Sequence, residues 1–172
     1  AEAGLAATAS QAAPRLRQPL EPAMHILFAL REKGREMTAA SASALESYLR
    51  RMGDVTRVRL PFPDFSSHVR AMARADVVVA THGGFEANLM WMRRGTCFVE
   101  LRGAYSHEAY GWFSRHANHF GVQLHSVTIS NLTLHWQPSY VLSDSEIHGL
   151  LQFLQGQLHR EYATHSIHYE TH

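Results

Sequence analysis

Residues 76–80, Asp-Val-Val-Val-Ala, run without a polar residue after Asp76 into Thr81 and the turn His82-Gly83-Gly84. Successive side chains on a strand point to opposite faces, so three adjacent valines leave no face for water. Such a strand must be covered on both sides, which is the condition of a parallel sheet. Residues 24–30, Met-His-Ile-Leu-Phe-Ala-Leu, and 96–101, Thr-Cys-Phe-Val-Glu-Leu, have the same character. Strands are also expected at 55–60 and over Val-Gln-Leu-His-Ser-Val-Thr-Ile (122–129).

Helical spacing fills the gaps. Leu45, Tyr48, Leu49 and Met52 recur at i, i+3, i+4 and i+7, predicting a helix over 39–52 capped by Thr38 and stopped by Gly53. Phe65, Val69 and Met72 mark a second helix, started by Asp64 or Ser66. A short helix is expected over 85–92, closed by Gly95, and another over about 107–119. Ser143 and Glu146 form a capping box ahead of Ile147, Leu150, Leu151 and Leu154. Strands alternating with helices predict right-handed crossovers. The expected fold is α/β, a Rossmann-like open parallel sheet with helices on both faces. Ligands of such sheets bind beyond the carboxyl ends of the strands. Loop 31–37, turn 81–84 and Glu100 are all expected at that edge.

Composition narrows the function. A chain of 172 residues, 45% hydrophobic and 18% charged, fits one globular domain. A net charge of +1 gives no basic surface for nucleic acid. The single cysteine, Cys97, lies in an apolar run and reads as a buried, inert thiol. No run approaches the roughly 18 apolar residues of a membrane span. The chain begins Ala-Glu-Ala rather than like a signal peptide, which suggests a fragment or processed chain. Thirteen histidines would add positive charge in a mildly acidic compartment.

The two glycines of the turn let backbone approach a ligand, and N–H groups of the next helix can hold phosphate oxygens. His82 can donate to a phosphate or sugar hydroxyl, or simply cap the helix. Arg31 and Arg35 follow the first strand, where forked guanidinium groups suit a diphosphate or lie as solvated loop charges. Glu100 stands in an apolar strand, where a carboxylate needs a partner. It can accept from vicinal ribose hydroxyls or pair with Arg94 or Arg102. Other chemistries fail on spacing. There is no G-x-S-x-G elbow, and His107-Glu108 is followed by Gly111 rather than the second zinc-binding histidine. His116 and His119 lack an evident third metal ligand. Neither a Walker loop nor G-x-G-x-x-G occurs, and Asn131-Leu132-Thr133 is a glycosylation sequon.

Together the Arg-containing loop, the Phe-Ser-Ser-His-Val-Arg-Ala-Met helix and Ala-Asp-Val-Val-Val-Ala-Thr-His-Gly-Gly, with Asn-Leu-Met-Trp-Met and Gly-Thr-Cys-Phe-Val-Glu-Leu after them, resemble glycosyltransferase family 61. The likeness covers roughly residues 24–130 and is to the carboxyl-terminal lobe. The family includes O-linked N-acetylglucosaminyltransferases and plant xylosyl- and arabinosyltransferases. The resemblance implies one lobe of a GT-B architecture: a linker or lobe-connecting segment over 1–23, a sugar-nucleotide-binding lobe over 24–160 and a His-rich tail over 161–172. It implies an inverting transferase that passes a sugar, from a UDP-sugar donor without an obligatory metal, to a protein or glycan hydroxyl. Arg31, Arg35, His82, Gly83, Gly84, Asn88 and Glu100 would bind the donor, with His82 as candidate catalytic residue. An endoplasmic-reticulum or Golgi lumen and a further amino-terminal lobe or partner chain are implied too. Phe85, where the family has a small residue, and Glu86, beside the phosphates, depart from the pattern. They suit the alternative of a non-catalytic interaction or structural module. A His-rich metal-binding domain is a third reading.

Overall fold

The computed structural model describes residues 24–103, 110–133 and 137–167. The expected linker 1–23, His107-Glu108 and the last residues of the tail lie outside them. Five parallel strands form the sheet: β1 (His25–Arg31), β3 (Asp54–Leu60), β4 (Val77–Thr81), β5 (Cys97–Gly103) and β6 (Gln123–Ile129), in the order β3-β1-β4-β5-β6. A second ladder pairs two short parallel strands, β2 (Glu36–Met37) and β7 (Ser139–Tyr140).

The apolar runs divide by alternation between two cores. Ile26, Phe28 and Leu30 of β1 pack with Val77, Val79, Cys97 and Val99 under α1 (Ala39–Leu49) and α4 (Asp144–Ile167), which contribute Leu45, Leu49, Ile147 and Leu150. Leu27, Ala29, Val78, Ala80 and Phe98 face the other way. There they meet Met72 of α2 (Phe65–Arg74), Leu89 of a 3₁₀ helix (Gly84–Trp91) and Ala117 of α3 (Tyr110–Phe120). The α/β layering expected from the continuous apolar strands is therefore present, with helices on both faces.

Local signals set the helix starts. Ser41 N donates to Thr38 Oγ1 at 3.4 Å, and Ser67 N to Asp64 Oδ1 at 2.8 Å, so Asp64 rather than Ser66 caps α2. In the predicted capping box Ser143 N donates to Glu146 Oε2 at 2.7 Å. Two boundaries differ from expectation. Helix α1 stops at Leu49, and Gly53 serves close packing instead, because a Cβ there would lie 2.2 Å from the Met24 carbonyl oxygen. The short helix expected over 85–92 is present as a 3₁₀ helix, Gly84–Trp91. Helix α4 continues through residues 161–167, the first part of the expected tail. The sequon asparagine is engaged in the fold: Asn131 Nδ2 donates to the Val141 carbonyl at 2.7 Å, and Val141 N donates back to Oδ1 at 3.3 Å. No helix among the described residues is long and apolar enough to cross a membrane.

Candidate functional site

From β1 the chain passes to β3 on one side, then crosses to β4 on the other, so the connection changes direction between β1 and β4. In open α/β sheets that switch point leaves a crevice at the carboxyl ends of the strands. Arg31 ends β1 and Arg35 lies in the loop after it, and the turn after β4 carries His82, Gly83 and Gly84. Gly83 has φ +146°, a conformation that L side chains rarely adopt. It also sits under the arginines: a Cβ there would come within 2.4 Å of Arg31 Nη1 and 3.0 Å of Arg35 Nη2. Arg31 Nη1 donates to the His82 carbonyl at 3.4 Å. Arg35 is buried with φ +56°, and its N–H donates to the Gln137 carbonyl at 2.7 Å. A non-glycine residue held in the left-handed region is strained, and such strain concentrates at functional sites. Two like charges gathered on one glycine make a natural seat for an anion.

Under the turn lies a buried polar cluster. His82, Glu86 and Glu100 are 6%, 0% and 1% exposed. His82 Nδ1 makes a very short contact with Glu100 Oε1 and lies 3.2 Å from Glu86 Oε1. Glu100 also accepts from Ser126 Oγ at 2.5 Å, because the β5–β6 register sets those residues side by side. Glu86 Oε1 accepts the Gly83 N–H at 3.1 Å, tying the cluster to the turn. Glu86 Oε2 has no hydrogen-bond partner among the described residues.

The charges are interdependent. Burial pulls the His82 pKa down, but hydrogen bonds and charges of Glu100 and Glu86 outweigh it and push the value up to about 9. Burial raises Glu86 to about 7, reinforced by the negative Glu100 and opposed by His82. Glu100 is held below the usual carboxylate range: burial opposes this, but the His82 and Ser126 hydrogen bonds prevail. At neutral pH the cluster is thus an imidazolium, a carboxylate and a carboxyl group caught in titration. The three ligand atoms lie within 4.8 Å of one another, the kind of set that can hold a metal. Their contacts here are direct hydrogen bonds, which a cation placed between them would have to separate.

The sequence-predicted residues therefore separate into groups. Arg31, Arg35 and Gly83 converge on one spot, with Gly84 exposed beside them. A Cβ at Gly84 would meet nothing within 4 Å, so its backbone faces open space. Glu100 pairs with His82 rather than with Arg94 or Arg102, at mid-strand rather than at an open strand end. Asn88 directs its amide to its own helix, Nδ2 donating to the Phe85 carbonyl at 2.7 Å. Glu86 and Ser126 were not expected in this cluster. The four-residue spacing of His82 and Glu86 is the signal that points to the first, whereas Ser126 is reached only through strand register.

Sheet order and a polar site at the switch point define a doubly wound α/β domain. The family model for glycosyltransferase 61 matches residues 6–99, more than half of the chain. The chain belongs to glycosyltransferase family 61, and so to the glycosyltransferases. Comparison with curated proteins gives no match. Among solved structures it is similar to the flavodoxin-like domain of a Synechococcus sp. protein, at 11% identity over 74% of this chain and 91% of that one, TM-score 0.46. It is also similar to an NADH:FMN oxidoreductase in its apo form, at 12% identity over 78% and 88%, TM-score 0.48. Likenesses this distant carry no information about function.

Proposed function

We propose that this domain holds the diphosphate of a sugar nucleotide, a UDP-sugar, for inverting transfer to a protein or glycan hydroxyl. The observation that carries this reading is the convergence of Arg31 and Arg35 on Gly83 at the switch point. Beside them the 3₁₀ helix starts, where the Gly84 and Phe85 N–H groups precede the first intrahelical bond, Glu86 N to the Gly83 carbonyl at 3.0 Å. The acceptor hydroxyl passes its proton to a base on the acceptor side, supplied by a further lobe or partner chain. As its oxygen bonds to the anomeric carbon, the bond from that carbon to the β-phosphate oxygen breaks and its electrons stay on the departing UDP. Fixed guanidinium groups and N–H dipoles stabilise that charge as it develops, the part a divalent cation plays in other transferases.

We assign His82 to positioning rather than to proton abstraction. Its ring holds its proton through neutral pH between two carboxylates, which makes it a poor base for an acceptor hydroxyl. Glu86 does not count against anion binding, because its buried side chain faces His82 and caps Gly83. The family resemblance is what favours a lumenal setting in the endoplasmic reticulum or Golgi, and an acceptor side completed by a further lobe or partner chain.

Calorimetric titration with UDP, GDP and CMP tests the reading. UDP should bind with a preference over the other two, and Arg35→Ala should weaken it at least tenfold. No heat at millimolar nucleotide would contradict it.

A further inference from the structure

The arginine cradle opens into a cavity of about 530 Å³, a size typical of small-molecule sites. Its walls come from the ends of three strands: Arg31 and Glu32 after β1, Leu60 and Phe62 after β3, Gly84 and Phe85 after β4. Three rings line it in nearly parallel planes. Phe62 and His68 lie 4.6 Å apart at 8°, His68 and Phe85 5.5 Å at 12°, and Phe62 and Phe85 6.4 Å at 19°. Flat aromatic surface of this kind offers stacking to another planar ring.

We propose that this cavity takes the nucleoside half of the donor, its base stacked on Phe62 and Phe85 and its ribose hydroxyls accepted by Glu32. The inference rests on the donor reading above. It assigns to Glu32 the ribose contact that Glu100 was expected to make. Glu100 is 1% exposed and already accepts from His82 and Ser126. Glu32 is exposed and is the one carboxylate among the residues lining the cavity. A carboxylate beside a nucleotide's sugar accepts from vicinal hydroxyls, which gives selectivity for ribose over deoxyribose. Arg31 and Gly84 belong to both cradle and cavity and would meet phosphate, while Glu32 would meet ribose and the rings of Phe62 and Phe85 the base. Lys33, also on the lining, adds positive charge to the cavity.

The test titrates UDP, 2′-deoxy-UDP and inorganic pyrophosphate into the wild-type protein, Phe85→Leu and Glu32→Gln, each variant's melting temperature confirming that it folds. Wild type should bind UDP about tenfold more tightly than 2′-deoxy-UDP, and Glu32→Gln should erase that preference. Phe85→Leu should weaken UDP about tenfold and leave pyrophosphate unchanged. The inference is overturned if Glu32→Gln keeps the preference, if Phe85→Leu leaves UDP binding intact, or if that variant weakens pyrophosphate equally. Pyrophosphate binding with no added affinity for UDP would leave the cradle standing and remove only this inference. Binding of neither ligand would instead fail the donor reading, and this inference with it.

Discussion

The two edges of the sheet carry the same kinds of side chain in opposite circumstances. At the amino edge, Asp76 accepts the His25 N–H at 2.7 Å and pairs with Arg93, while His25 lies 3.6 Å from Asp54. These side chains are 38–62% exposed. At the carboxyl edge, His82, Glu86 and Glu100 form an equally charged cluster almost without solvent. Water screens the first set, and each pair there contributes little. Water cannot rescue the second, so each group depends on its partners. Charge that is costly to bury and lies directly under the His-Gly-Gly turn makes the carboxyl edge the candidate for a functional site.

Removing one buried partner should break the contrast most severely. Glu100→Ala takes away the acceptor of Ser126 and the shorter of the two carboxylate contacts of His82, and should lower unfolding free energy by about 3–5 kcal/mol in urea. Gly83→Ala should come next. It forces φ +146° on a residue with a Cβ and pushes Arg31 aside. The expected cost is about 1–3 kcal/mol, with at least a tenfold loss of UDP affinity by calorimetry.

The pH profile sharpens the comparison further. Glu86 and His82 both have raised folded-state values, so each contributes stability at low pH that is lost as pH rises. For Glu86 the loss runs from about 4.5 to about 7, and for His82 from about 6.5 to about 9. Glu100, lowered, works the other way: its contribution is present above the usual carboxylate value and is lost as pH falls below it. Unfolding free energy should therefore fall between pH 5 and pH 9. Glu86→Gln should flatten the part below pH 7 by on the order of 2 kcal/mol and reduce the upper part too, because Glu86 helps to raise His82. A variant with an unchanged slope below pH 7 would mean that Glu86 does not hold the proton. At the amino edge, Asp76→Asn should change stability by less than about 1 kcal/mol, and less still in high salt.

Much of this contrast was legible in the sequence. The valines of β4 and the apolar runs of β1 and β5 announced two-sided burial, because a strand's alternation leaves them no solvent face. Arg31, Arg35 and the His-Gly-Gly turn were legible as a group, since strand ends in such a sheet share an edge. The β2–β7 ladder was not, because Glu36 and Ser139 are joined by backbone across a hundred residues with no local pattern to signal it. Glu86 was read as a negative charge beside the phosphates. Its four-residue spacing from His82 was the one local signal that the 3₁₀ turn carries it inward onto that ring. Glu100 was read at a strand end, but β5 continues to Gly103 and places it beside Ser126.

The most direct test of the central claim, that the carboxyl edge holds the nucleotide, is a titration of ¹⁵N-labelled protein with UDP followed by amide NMR shifts. The account predicts saturable shifts at Arg35, Gly83, Gly84 and Phe85, with Asp54, Asp76 and Arg93 at the opposite edge unmoved. Shifts centred on the amino edge, or none at the turn at saturating UDP, would contradict it.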